Sequence, residues 1–136
     1  MSRQDFAITK ARYLVYLSTN DGSDTRINKE IKTLSREFEV IFIGVGDRER
    51  AFVSPMCNEM HLVRGKRNRP LTIMRQIAVF LSVLRRYRVH SIHIVNEQLL
   101  IFFYPFLIGR YTVLDVFDSI FLRWNLSGER CGWLKR

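Results

Sequence analysis

The stretch VLDVFDSI, Val113 to Ile120, places two carboxylates inside an otherwise apolar run. A carboxylate that is buried without a partner costs several kcal/mol, so such residues pair, accept hydrogen bonds or face a wet cleft. Because side chains alternate along a strand, Asp115 and Asp118 are predicted to point to opposite faces and are not a catalytic pair. Asp115 is predicted to be a hydrogen-bonded structural acid. Asp118, at the carboxyl end of the run, is a candidate catalytic residue that could orient substrate hydroxyls or act as a base.

A loop of polar residues and one glycine follows the first apolar run of the chain: Thr19, Asn20, Asp21, Gly22 and Ser23. Two interpretations of the glycine stay open. It lets the chain turn, or it lets a phosphate or sugar approach the backbone N–H groups of Gly22 and Ser23, near the positive end of the following helix. In the second case Asn20 and Asp21 are candidate substrate-binding residues. The loop lacks both G-x-G-x-x-G and G-x-x-x-x-G-K-[ST], so neither a dinucleotide site nor a P-loop is expected.

No metal site is predicted from the histidines. His90 and His93 are three residues apart, and on a regular strand this spacing puts them on opposite faces. His61 stands alone in the sequence, and we predict structural roles for all three. No Ser-His-Asp or Cys-His arrangement can be assembled, and no cofactor is expected.

The charge distribution predicts an anionic partner. The net charge is +9 and the pI is about 10.2, and no Asp or Glu occurs from Met60 to Asn96. A solvated face is one explanation of such a window. We favour contact with an anionic membrane surface over nucleic acid, because no known nucleic-acid-binding module fits a parallel sheet here. The candidate membrane-binding residues are Arg64, Lys66, Arg67, Arg69, Arg75, Arg85 and Arg86.

The sequence predicts a cytoplasmic protein, soluble or peripheral on the inner face of the membrane. Its N-terminus is too polar for a signal peptide. The longest apolar run, Leu99 to Ile108, is too short to span a bilayer and contains Pro105. Cys57 and Cys131 stand far apart and are expected to be reduced thiols.

Apolar runs and helical spacing alternate along the chain, and this predicts five strands and three helices. The predicted strands are Arg12 to Ser18, Phe38 to Val45, Met60 to Val63, Ser91 to Val95, and Tyr111 to Phe117. The predicted helices are Ile27 to Phe38, Leu71 to Tyr87, and Gln98 to Ile108, with Asp24 or Ser23 as the N-cap of the first.

Near-continuous apolar strands that alternate with helices indicate an α/β fold, a doubly wound, Rossmann-like parallel sheet in the order 3-2-1-4-5. Ligands bind such sheets at the carboxyl ends of the strands, where the strand order reverses. The first loop, the pair Asn96-Glu97 and Asp118 should therefore surround one cleft, with Asn96 a candidate substrate-binding residue and Glu97 a second candidate catalytic residue. We assign residues 1–122 to one domain. Residues 123–136 are expected to begin a following segment or to be a truncated tail.

The order RYLVYLSTNDGSDTRINKEIKTLSREFEVIFIGVG, a basic helix, SIHIVNE and YTVLDVFDS resembles the N-terminal domain of GT-B-type glycosyltransferases of the group 1, retaining kind. The resemblance covers nearly the whole chain but only about half of such an enzyme. It implies that the first loop approaches the donor diphosphate or the acceptor, and that Asn96, Glu97 and Asp118 lie at the catalytic cleft. Phe117 departs from the family, many members of which have histidine at this position.

The resemblance implies a domain that binds a sugar acceptor and needs a C-terminal donor-binding domain or subunit for transfer from a nucleotide sugar. Alone, this chain is expected to transfer nothing. The alternative is a non-catalytic, membrane-recruiting subunit that docks a separate catalytic chain. A receiver-like signalling domain is disfavoured, because Asp21 at the end of the first strand has no acidic neighbour until Asp24.

Overall fold

The computed structural model describes residues 11–47, 53–67 and 69–116. Its strands are β1 (Tyr13–Leu17), β2 (Glu39–Val45), β3 (Glu59–Val63), β4 (Val89–Val95) and β5 (Thr112–Asp115). Its α-helices are α1 (Thr25–Leu34), α2 (Pro70–Arg86) and α3 (Glu97–Leu107), and a short 3₁₀ helix spans Ser54–Met56. The predicted order of elements is confirmed, with boundaries that differ by up to a few residues.

The five strands form one parallel sheet in the order β3-β2-β1-β4-β5. The predicted α/β class and strand order are therefore confirmed. β1 lies at the centre, and Leu17 near its carboxyl end pairs with Ile43 of β2 and Ile94 of β4. Because the order reverses at β1, the loops that follow β1 and β4 leave the sheet side by side.

Helices pack on both faces of the sheet. On one face, Val15 and Leu17 of β1 pack with Phe80 of α2 and Phe103 of α3. On the other face, the alternate residues of β1 pack with α1, as Tyr16 does with Ile31. The strands are almost continuously apolar because both of their faces are buried.

The starts of the helices follow local capping chemistry. Of the two predicted candidates, Asp24 and not Ser23 is the N-cap of α1, and its carboxylate accepts a hydrogen bond from the Arg26 N–H at 2.7 Å. α2 begins with Pro70, whose missing N–H costs nothing at that position. Asn96 caps α3 by accepting from the Gln98 N–H at 3.1 Å.

The structure bears on the predictions made for two histidines and for the C-terminal part of the chain. A register shift between β1 and β4 near His90 interrupts the regular alternation, so the predicted opposite faces of His90 and His93 no longer follow from spacing. Asp118, Phe117 and the predicted boundary at residue 122 lie outside the described residues. Within the described ranges, no helix has the length and apolar character needed to cross a bilayer.

Candidate ligand site at the carboxyl ends of the strands

The loop after β1 is held by its own side chains. Asn20 accepts the Gly22 N–H on Oδ1 at 2.9 Å, and its own N–H donates to Ser18 Oγ at 3.1 Å. Asp21 Oδ1 accepts the Ser23 N–H at 3.0 Å. The backbone N–H groups of Gly22 and Ser23 therefore already have acceptors, and a diphosphate would have to replace Asn20 and Asp21. Diphosphate binding by Gly22 and Ser23 stays a prediction.

Gly22 has a structural reason to be glycine. Its φ is +82°, and a Cβ at this position would lie 2.6 Å from a methyl group of Val53. Both constraints favour glycine regardless of any ligand. The turn interpretation accounts for the residue, and close approach of a ligand is not needed to explain it.

The loop after β1 packs against the carboxyl end of β2. The Val45 N–H donates to the Asn20 carbonyl at 3.1 Å, and a Cβ at Gly46 would lie 2.5 Å from Cβ of Asp21. Asn20 and Asp21, both predicted to bind substrate, are thereby fixed against a neighbouring strand. This is the preorganisation that a binding site requires.

The basic segment after β3 contacts the same loop. Arg67 Nη2 donates to Thr19 Oγ1 at 3.0 Å, and the buried amide of Gln76 in α2 donates to the Ser18 carbonyl at 2.9 Å. A cationic side chain thus lies at the end of β1, which is a position suited to an anionic ligand group.

The candidate membrane-binding residues separate into two groups along α2. Arg64, Lys66, Arg67, Arg69 and Arg75 lie near its start, and Arg75 donates to the Arg64 carbonyl at 3.2 Å. Arg85 and Arg86 lie in its last turn, about 20 Å away at 1.5 Å per residue, where Arg86 pairs with Glu59 at 3.1 Å. The basic residues thus flank the apolar helix at both ends, and membrane binding by them stays a prediction.

Asn96 has an unusual backbone at the end of β4. Its φ is +91°, and it is the one non-glycine residue with positive φ among the described residues. Its N–H donates to the Asp115 carbonyl of β5 at 3.1 Å, and its side chain caps α3. Such a backbone conformation costs free energy, and residues that adopt it cluster at functional sites. Glu97 occupies the first turn of α3 directly beside it.

Two substitutions of Asn96 distinguish the contribution of its N-cap hydrogen bond from the cost of its backbone strain. Asn96→Ala is expected to lower the free energy of unfolding by about 1 kcal/mol, because the cap is lost while the strain of a Cβ at positive φ is unchanged. Asn96→Gly loses the same cap but relaxes the backbone, so its effect is expected to stay within about 0.5 kcal/mol. Urea unfolding of both variants gives the comparison. Equal losses for alanine and glycine would contradict the assignment of strain to this residue.

A polar cluster between α1 and the sheet was not found from the sequence. Arg26 pairs with Asp115 of β5 and, at 2.9 Å, with Glu30. Glu30 also accepts the Tyr16 hydroxyl at 2.5 Å. His93 stacks on Tyr16 with a centroid distance of 4.7 Å, and its Nε2 lies 3.7 Å from Glu30. The predicted structural role of Asp115 is supported, although its partner is a helix residue 89 positions away in the chain.

Burial controls the protonation of two members of this cluster. It raises the pKa of Tyr16 far above its usual range, and the hydrogen bond to Glu30 adds to the effect. Burial also lowers the pKa of His93, Glu30 opposes that shift, and Arg26 adds to it. The phenol and the imidazole are therefore both neutral at pH 7.

His93 predicts a pH dependence of stability. The unfolded chain binds a proton on His93 as the pH falls through its ordinary pKa of 6.5, whereas the folded protein binds it only at lower pH. Stability is therefore full above this value and falls as the pH drops below it. His93→Phe, which keeps a ring on Tyr16, is expected to flatten this fall in urea titrations from about pH 8 to pH 5.5. The control His90→Phe should retain it, and an unchanged slope in His93→Phe would contradict the prediction.

Within the described part of the chain, Glu30, His93 and Asp115 are the group that could hold a metal ion, with ligand atoms within 4.8 Å of one another. The guanidinium of Arg26 already pairs with both carboxylates. The sequence signal for this cluster is weak, because Arg26 and Glu30 have the i,i+4 spacing of an ordinary solvated helix pair.

Two cavities lie at the opposite end of the sheet, where the strands begin. We call this end the amino edge, and the end where the strands finish the carboxyl edge. One of about 610 Å³ is lined by Arg12, Arg88 and His90 among others. The second, of about 480 Å³, is lined by residues that include Ser35 and Glu39. The strained Asn96 and the fixed loop after β1 lie away from these two cavities, at the carboxyl edge.

No protein-family model, curated protein or solved structure matches the chain.

Proposed function

We propose that this chain is the N-terminal, acceptor-side domain of a GT-B-type glycosyltransferase of the retaining group 1 kind. The observation that supports this best is the adjacency of β1 and β4 at the point where strand order reverses. The loop Ser18 to Asp24 and the pair Asn96-Glu97 therefore follow neighbouring strands. A parallel sheet with helices on both faces is also what a doubly wound half of such an enzyme requires.

In this proposal the carboxyl edge holds the acceptor. Glu97 and Asp118 orient the acceptor hydroxyl, or one of them acts as a general base. Asn96, Asn20 and Asp21 contribute hydrogen bonds to the acceptor. Gly22 and Ser23 remain candidates for the donor diphosphate, and the cationic Arg67 next to Thr19 is available to the same anionic group.

The donor is a nucleotide sugar bound as a substrate, and a C-terminal domain or subunit supplies its main binding site. The acceptor is a lipid-linked molecule at the cytoplasmic face of the membrane. The basic cluster at the start of α2, Arg64 to Arg75, lies at the same edge of the sheet as the loop after β1. A membrane held by this cluster would bring a lipid-linked acceptor towards that edge.

The proposal is tested by incubating the complete gene product with radiolabelled nucleotide sugars and a membrane lipid extract. We expect transfer of one sugar to the lipid fraction with release of the nucleoside diphosphate. No turnover with any donor of the panel would contradict the enzymatic function. A gene product without a second α/β domain that still recruits an active separate chain to membranes would support the alternative, a non-catalytic recruiting subunit.

A further inference from the structure

The outer surface of α3 is apolar and exposed. Ile101, Tyr104 and Ile108 are 63%, 62% and 72% exposed, and Phe102 is 49% exposed. The helix is also apolar on its inner face, where Leu99, Phe103 and Leu107 are buried against the sheet. A helix that is apolar on both sides needs a second apolar environment beyond its own core.

Among the described residues, the second helix on this face of the sheet also has exposed apolar side chains. On α2, which packs on the same face of the sheet as α3, Leu71 and Met74 are 59% and 67% exposed. The ring centroids of Phe80 and Phe103 lie 5.3 Å apart, so the two helices form one layer. The opposite layer differs, because the exposed residues of α1 are Thr25, Lys29, Lys32 and Thr33.

Apart from Glu97 at the start of α3, the charged residues of these two helices are basic. α2 contains no acidic residue, and α3 contains none after Glu97. Arg75 and Arg85 are exposed on α2, and Arg110 and the exposed Tyr111 follow α3. Arginines around exposed aliphatic and aromatic side chains are the composition of a surface that lies in the interface of an anionic bilayer.

We propose that the outer face of α3, with Leu71 and Met74 of α2, inserts into the interfacial region of an anionic lipid bilayer. The arginines of α2 contact the lipid headgroups, and Tyr104 and Tyr111 lie at headgroup level. The inference rests on the membrane contact of the proposed function and adds the element that inserts. Lipid is favoured over a protein partner because, apart from Glu97, the charged residues of α2, α3 and the turn after α3 are all arginines.

The test is flotation of the full chain with vesicles of phosphatidylcholine containing about one-third phosphatidylglycerol, at about 0.1 M salt. The variant is Ile101→Ser with Tyr104→Ser, and the matched control is Thr33→Ser on the polar α1 layer. We expect the double variant to lower the partition coefficient about tenfold while the control leaves it unchanged. Thermal melting checks that both proteins are folded, and Phe102→Ser serves as a second variant if the double variant unfolds.

Three results would overturn the inference: no binding of the unchanged chain to anionic vesicles, equal binding of the double variant and the unchanged chain, or dimers that dissociate in the double variant. The last result, measured by light scattering, would assign the patch to contact between copies. The proposed glycosyl transfer is read separately, by sugar transfer to the same lipid extract dispersed in detergent. Transfer in detergent without vesicle binding would reject the insertion alone.

Discussion

Gly44→Ala is expected to lower the free energy of unfolding by about 3 kcal/mol, because a Cβ at this position has no room. It would lie 2.3 Å from the backbone oxygen of Asn20 and 2.5 Å from the ring of Phe42. Phe42 is fully buried, and the Asn20 carbonyl is bonded to the Val45 N–H, so neither neighbour can move freely. The substitution therefore forces the loop after β1 away from β2.

Gly109→Ala is the matched control for this substitution. Gly109 has φ of +76° but nothing within 4 Å of its Cβ position, so its cost is backbone strain alone, about 1 kcal/mol. Urea unfolding of both variants compares a steric clash with a conformational cost. If Gly44→Ala were no more destabilising than Gly109→Ala, the close approach of the loop to β2 would be wrong.

In the proposed glycosyltransferase, Asp118→Asn is expected to lower kcat for sugar transfer at least about 100-fold, because an amide cannot accept a proton from the acceptor hydroxyl. The matched substitution is Asp115→Asn, three residues earlier. Asp115 pairs with Arg26 of α1, so this change should lower stability and leave kcat within about threefold.

Two measurements distinguish the roles of the two aspartates. They are initial rates at saturating donor and urea unfolding. Similar kcat values for Asp118→Asn and the unchanged enzyme would remove Asp118 from the catalytic residues. A large loss of kcat in a fully folded Asp115→Asn protein would mean that the structural role of Asp115 had been misassigned.

The fold could be read from the sequence because its strands are buried on both faces. Runs such as FEVIFIGV have one plausible structure, and right-handed crossovers then restrict the strand order to few choices. The N-cap Asp24 and the paired acid Asp115 were predictable for similar reasons, since each follows from the local cost of an unsatisfied polar group.

Contacts between distant residues could not be read in the same way. The bonds from Arg67 to Thr19 and from Gln76 to Ser18 join residues that are 48 and 58 positions apart. The pairing of Arg26 with Asp115 depends on which side of the sheet α1 covers. The register shift near His90 and the positive φ of Asn96 are backbone features that tertiary packing imposes against local preference.

The most direct test of the proposed site compares the same substitution at the two edges of the sheet. Glu97 follows β4 at the carboxyl edge, and Glu39 begins β2 and lines the 480 Å³ cavity at the amino edge. In sugar transfer by the complete enzyme, Glu97→Gln is expected to lower kcat/KM about 100-fold and Glu39→Gln to change it less than about twofold. A loss in Glu39→Gln with full activity in Glu97→Gln would place the chemistry at the amino edge and contradict the proposed site.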